Sequence, residues 1–404
     1  MTSGKGARAV LKRQIDVDVA VNTWPAGRTV PRALRPPNGP ETIDMKEALI
    51  MLGTLTMPNL MSPASPARFW AWLRYIIAIS RHSDLRITMD FADLDPHQKA
   101  ILSDDFGVAV STWWLHQRLG GFSEIVDGRR FLLQFPHLLR RKKTTKAKIG
   151  PGKAPDFVVR DKSGLWHVLE CKGTQSGRHS RDRFLKRAVD QKGVVRISGR
   201  LRGERLAAGL AISNERDKGT TELRIVDPES SSEVELELRD DNDAEIQIAA
   251  RRIAVARALG VVGLSETAME MWLPDEIADV DDFLMPSEIA RLKESKAERY
   301  GRATQQIARR TLQKFEYDSR SYEGRAFNIS LQELGIDSDV RQIKVRVGIN
   351  EELLRHLEDS PNGSHGMKDL ISIFPSDNVT SFESNDNRSI LTCGQLSYAE
   401  VVLS

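Results

Sequence analysis

The sequence predicts an α/β protein, with a central mixed sheet flanked by helices and an additional C-terminal α+β region. Three observations predict it. Phe157-Val158-Val159 and Leu165 to Leu169 are apolar runs rich in β-branched and aromatic residues, and they flank a polar turn, Asp161-Lys162-Ser163-Gly164, as in a β-hairpin. Residues 104–213 are ordered helix, strand, strand, strand, helix, strand, and the last three elements form a crossover back onto one sheet. Beyond residue 287 helical and strand patterns alternate again, without a chemical motif.

Taken in order, residues 1–42 are rich in Arg, Pro and Gly and predict an extended basic arm, with a short strand at Ile15 to Val21. An N-terminal helical region follows over 43–100. Met45 to Leu55 and Pro66 to Ser80 carry its apolar spacing. The central domain is expected over 101–273. It opens with a helix capped by Ser103, with Asp104 and Asp105 offsetting the dipole in its first turn and Gly120-Gly121 ending it. A strand at Arg130 to Phe135, the hairpin, a helix from Ser180 to Lys192 and a strand at Leu206 to Ser213 complete the order. Strands at Glu222 to Val226 and Glu233 to Leu238 are expected to form a second hairpin, followed by a helix at Ala244 to Leu259. An acidic linker, 274–286, then leads to the C-terminal region, 287–404. That region is expected to hold one long helix from Ser287 to Phe315, strands near 325–331, 340–349, 370–374 and 389–402, and a helix near 351–357.

The chemistry gathers at one end of the first hairpin. Asp156 opens one strand; Glu170 and Lys172 close the other and share a face, because strand side chains alternate. Pairing back from the turn sets Asp156 opposite Leu169 or Glu170, depending on the turn type. Like charges drawn together in a low-dielectric site repel unless a cation intervenes, so the pair suggests a hard divalent ion with oxygen ligands. The competing reading is a solvated charge cluster.

Pro155-Asp156 followed by Glu170-x-Lys172 resembles the signature of the PD-(D/E)xK nuclease superfamily, the restriction-endonuclease-like fold. The resemblance spans residues 104–213. It implies a core of that fold and a metal-dependent endonuclease hydrolysing DNA phosphodiesters to 5′-phosphate and 3′-hydroxyl ends. Restriction, phage defence and mobile-element processing are the settings in which such enzymes occur. It further implies Mg2+, or Mn2+ in its place, held by Asp156, Glu170 and the Cys171 backbone carbonyl, with Asp105 as a further ligand from the preceding helix. Lys172 would hold or activate the attacking water, its pKa depressed by the nearby cation. Gln191 and Lys192 would face the scissile phosphate.

Charge distribution points to a polyanion independently. From Arg129 to Lys153 there are nine Lys/Arg and no acid, and from Lys172 to Arg205 eleven basic residues against three acids, although the net charge is only +3. Arg140, Arg141, Lys142, Lys143, Lys153, Arg183 and Arg187 are the expected phosphate contacts. Other chemistries find no support. Gly150-Pro-Gly152-Lys153 lacks the first glycine of a phosphate loop, where Ala147 stands, and has Ala154 in place of Ser/Thr. Neither histidine spacing nor Cys171 and Cys393 suits zinc, and no nucleophile elbow is present. Two cysteines and no apolar run of spanning length lead to the expectation of a cytoplasmic protein with no membrane partner. Two further readings stand beside the nuclease: a catalytically silent nucleic-acid-binding protein, and a subunit active only with a protein partner or as a homodimer through the C-terminal region.

Overall fold

The structure is a computed structural model and describes residues 11–56, 75–141, 153–230, 234–273, 283–331, 341–359 and 379–404. Its framework is one mixed sheet. We number the sheet's strands in chain order. β1 (Lys12–Val19) and β2 (Glu41–Asp44) come from the N-terminal segment. β3 (Phe122–Asp127), β4 (Phe157–Asp161), β5 (Trp166–Thr174), β6 (Arg202–Ala211) and β7 (Glu222–Val226) form the centre. β8 (Gln313–Tyr317), β9 (Arg320–Ser330), β10 (Gln342–Asn350), β11 (Thr380–Ser384), β12 (Arg388–Cys393) and β13 (Ser397–Leu403) come from the C-terminal region. The spatial order is β8-β9-β10-β13-β12-β11-β3-β4-β5-β6-β7-β1-β2.

The centre is an antiparallel meander, β3-β4-β5, with β6 parallel to β5 through the crossover helix α3 (Gly177–Lys192). The preceding helix, α2 (Pro96–Leu119), packs on β5, and α1 (Met45–Leu55) packs on α2 and on the C-terminal strands. These helices bury one face of the sheet; α3 and α4 (Asp243–Val261) lie on the other, so each face carries its own apolar core. The α/β class and the order helix, three strands, helix, strand are therefore present.

Several expectations are corrected. The segment 130–135 is not a strand. The strand lies earlier, at β3, and Gly128–Leu132 forms a helical turn because Asp127 caps it, accepting the Arg130 N–H at 2.7 Å. Helix α2 begins at Pro96, capped by Asp95, whose Oδ1 accepts the N–H groups of His97 and Gln98. Ser103 is buried inside that helix and donates to the Lys99 carbonyl at 2.6 Å. The second hairpin does not form: β7 joins the main sheet, while Val234–Leu238 pairs with Leu139–Arg141 and Val195–Ile197 in a small separate sheet. The long C-terminal helix is broken. Ser295 forms a capping box with Glu298, starting a new helix at Lys296–Ala308, and Phe315 lies in β8. The short strand expected within the arm is present, as β1, and β11 meets β3 at Thr380↔Phe122, so strands from the N-terminal, central and C-terminal segments share one sheet. The strand expected at 370–374 and most of the 66–80 helix lie outside the described residues.

Candidate active site

The hairpin's register is set at its turn. Asp161 Oδ1 accepts from the Ser163 and Leu165 N–H groups at 2.8 and 2.9 Å and from the Ser163 hydroxyl at 2.7 Å. Gly164 takes the left-handed conformation at φ 87° that this three-residue loop requires. His167 Nε2 lies 3.2 Å from Asp161 Oδ2, while its Nδ1 accepts the Glu204 N–H at 3.0 Å, which leaves Nε2 as the protonated nitrogen. Burial works to raise Asp161, but the bonds from His167, Ser163 and Leu165 outweigh it and hold the carboxyl below its ordinary range. The loop pairs Phe157 with Leu169, and one step further Asp156 stands opposite Glu170.

At that end four groups interlock. Glu170 is fully buried; its Oε2 accepts the Asp156 N–H at 2.9 Å and its Oε1 accepts Lys172 Nζ at 2.5 Å. Asp156 Oδ2 accepts the Cys171 N–H at 2.7 Å. Burial pushes Asp156 up to about 6; Lys172 and the Cys171 amide oppose this, and Asp127 and Asp104 add to it. Glu170 is driven well above its ordinary range, by burial first and then by Asp156. Burial pulls Lys172 down, yet Glu170 and Asp156 together hold it above its usual value. The cluster thus gathers more acidic groups than its one lysine can balance.

Helix α2 supplies a further acid. A Cβ on Gly173 would stand 1.7 Å from the Ser103 carbonyl oxygen, and one on Gly107 would stand 2.7 Å from the Lys172 carbonyl carbon. Backbone therefore packs on backbone here, which glycine alone permits. That contact brings Asp104 to the Gly173 N–H and into the field of Lys172; burial raises its pKa. Asp105 instead accepts the Tyr75 hydroxyl. Of the two aspartates, Asp104 is the one electrostatically joined to the cluster.

A cavity of about 360 Å³ opens beside Asp156, lined also by Asp127, Gln191, Arg129, Arg130 and Arg257. Of these, sequence reasoning named Gln191 alone besides Asp156. Asp127 and both neighbouring arginines were missed with strand β3, whose signal is the Phe122-Ser-Glu-Ile-Val-Asp run directly after Gly120-Gly121.

The other expected phosphate contacts are scattered. Arg140 is exposed in the small sheet opposite Glu235, and Arg141 is the next residue of that strand. Lys142 and Lys143 lie outside the described residues. Lys153, Arg183 and Arg187 are exposed. Lys192 is not a phosphate contact: it is fully buried and pairs with Asp227 Oδ1 at 2.5 Å.

The donor set fits a hard cation in part. Two opposed carboxylates, Glu170 fully and Asp156 partly buried, both with raised pKa values, gain from one, and Mg2+ keeps several waters and needs few protein ligands. Among the described residues no group of three or more His, Cys, Asp and Glu side chains is placed to ligate an ion together. Backbone and water would have to complete the shell. Both cysteines are free, and among the described residues no helix is long and apolar enough to cross a membrane. Comparison of this chain with protein-family models, with curated proteins and with solved structures finds no match.

Proposed function

We propose that this protein is a metal-dependent nuclease that hydrolyses phosphodiester bonds in DNA, built on a restriction-endonuclease-like core. One observation carries the reading: a half-buried Asp156 and a fully buried Glu170 are opposed across a hairpin, both raised in pKa, with Lys172 on the Glu170 carboxylate and a cavity alongside. A surface charge cluster would be solvated; this one carries a desolvation cost that a bound ion would relieve.

Asp156 and Glu170 would hold Mg2+ or Mn2+. Cys171 turns its N–H toward Asp156, and a strand residue's carbonyl leaves on the same side as its N–H, so that carbonyl is available to the same ion. Such an ion, when bound, supplies a water of lowered pKa and offsets charge developing on the phosphate. Lys172, held above its usual value by its two carboxylate neighbours, would orient the water and neutralise charge. Water attacks in line, leaving a 5′-phosphate and a 3′-hydroxyl. Asp104 fits the role of an additional acid from α2 better than Asp105.

Incubation with plasmid and Mg2+, beside Asp156→Ala and Lys172→Ala, tests this. Cleavage that persists in both variants overturns the site. One observation favours a silent nucleic-acid-binding protein: both Glu170 oxygens already have protein partners. Salt-sensitive DNA binding without cleavage would establish that alternative. Cleavage only on adding a partner protein would instead favour the subunit reading.

A further inference from the structure

The cavity beside Asp156 holds cationic donors that attack on an internal phosphodiester leaves unused. Its arginines differ in state. Arg129 is consumed by Glu288, to which it gives two bonds at 2.7 and 2.8 Å. The guanidinium of Arg130 lies over the Trp272 ring, 4.9 Å from its centroid, and its Nε is buried without a hydrogen-bond partner among the described residues. Asp127 is spent on the backbone N–H of Arg130 at 2.7 Å, and reaches the guanidinium only through its field. Arg257 gives one N–H to the Ile125 carbonyl at 2.6 Å. Among the described residues neither Arg130 nor Arg257 has a carboxylate within ion-pair distance.

The walls give the shape of the guest. They come from α1, α2, α4, the Gly128–Leu132 turn and Met285, so the space is bounded on several sides. A volume of about 360 Å³ is at the small end of ligand sites. It suits the end of a strand better than a strand passing through. A guanidinium fork matches phosphate oxygens in pairs, and a phosphate monoester offers more negative charge and one more free oxygen than a diester.

We propose that the cavity is a receptor for a terminal phosphate monoester of a nucleic-acid strand, gripped by Arg130 and Arg257. Resting on the nuclease reading, this makes bonds close to a strand end preferred over the internal bonds that the same site cuts in a closed circle, since the receptor adjoins Asp156.

Fluorescence anisotropy tests it with the full chain in EDTA, where hydrolysis cannot interfere. The probes are an internally labelled ten-nucleotide DNA bearing a 5′-phosphate, a 3′-phosphate, or hydroxyls at both ends. One phosphorylated form should bind about tenfold tighter than the hydroxyl form, and which one does so identifies the end. Arg130→Gln and Arg257→Gln should each collapse that advantage, whereas Arg200→Gln, whose side chain is 94% exposed, should keep it. Arg130→Lys, which keeps the charge, should recover part of it and guards against misfolding as the cause. Equal affinity for all three probes, or an advantage surviving both cavity variants, overturns the receptor. A phosphate preference in a protein that cleaves no DNA with Mg2+ supports the receptor and overturns the nuclease reading alone.

Discussion

Two lysine–carboxylate clusters, one partly and one fully buried, occupy neighbouring parts of this sheet, and they are built to opposite ends. At the hairpin, Lys172 faces Glu170 and Asp156, with Asp104 and Asp127 in the same field. At the C-terminal end of α3, Lys192 binds Asp227, while Glu204 nearby accepts from Arg28 at 2.6 Å and from the Trp24 indole at 3.0 Å. The second cluster balances two acids with two cations, and burial dominates both partners: Lys192 is lowered to about 8 and Asp227 raised to about 6. In the first the acids outnumber the cation, so Lys172 is raised instead. A cavity adjoins the first; the second is closed within the fold. Burial with pairing marks structure as readily as chemistry, and the distinguishing features are uncompensated charge and room for a guest.

This contrast can be broken by measurement. The largest effect is expected at the hairpin: Lys172→Ala or Asp156→Ala should lower plasmid cleavage by at least about 10³-fold, measured as nicking rate at saturating Mg2+. Lys192→Met should act on stability instead. It leaves Asp227 buried without its cation, at a cost of about 3–5 kcal/mol in urea unfolding, while the folded fraction still cleaves. Equal loss of turnover per folded molecule in both variants would erase the distinction.

A sharper test uses pH. Asp156 titrates near 6 in the fold and at an ordinary aspartate value near 3.8 when unfolded. The folded protein therefore binds the proton more tightly, and stability falls as pH rises from about 4 to 6. Asp156→Asn removes that penalty, so above pH 6 the metal-free variant should be more stable than wild type by up to about 3 kcal/mol. The gain should vanish near pH 4, as thermal melts across the range will show. The smallest effect is ion binding itself. Free Mg2+ at ten times its Kd should stabilise wild type by about 1.4 kcal/mol and leave Asp156→Asn unmoved.

The hairpin, the crossover helix and the element order were legible because each depends on local signals: alternation, turn residues and an apolar helix face. Asp156, Glu170 and Lys172 came from the same source, since strand parity places side chains without knowledge of the tertiary fold. What failed depended on distance. Ser103 looked like a cap because two aspartates follow it, yet α2 had begun seven residues earlier at Pro96, and the backbone contact at Gly107 and Gly173 brings Asp104 rather than Asp105 to Lys172. Lys192 looked like a phosphate contact until Asp227, 35 positions away, was seen to hold it. Arg130 and Arg257 come together only through packing of α4 against the central strands, which no spacing in the chain records.

Strand β1 has a consequence for how the chain is made. Its first half, Lys12 to Ile15, pairs with β2 close by, but Asp16 to Val19 pairs with Glu222 to Ile225. At about 5–20 residues per second, synthesis leaves that second half without its partner for roughly 10–40 s. An open strand edge is a template for wrong pairing during such a wait. Asp16 and Asp18 alternate with Val17 and Val19 along it, and charges so placed discourage other chains from adding there. Those two aspartates are therefore expected to guard the nascent chain before they serve the finished one.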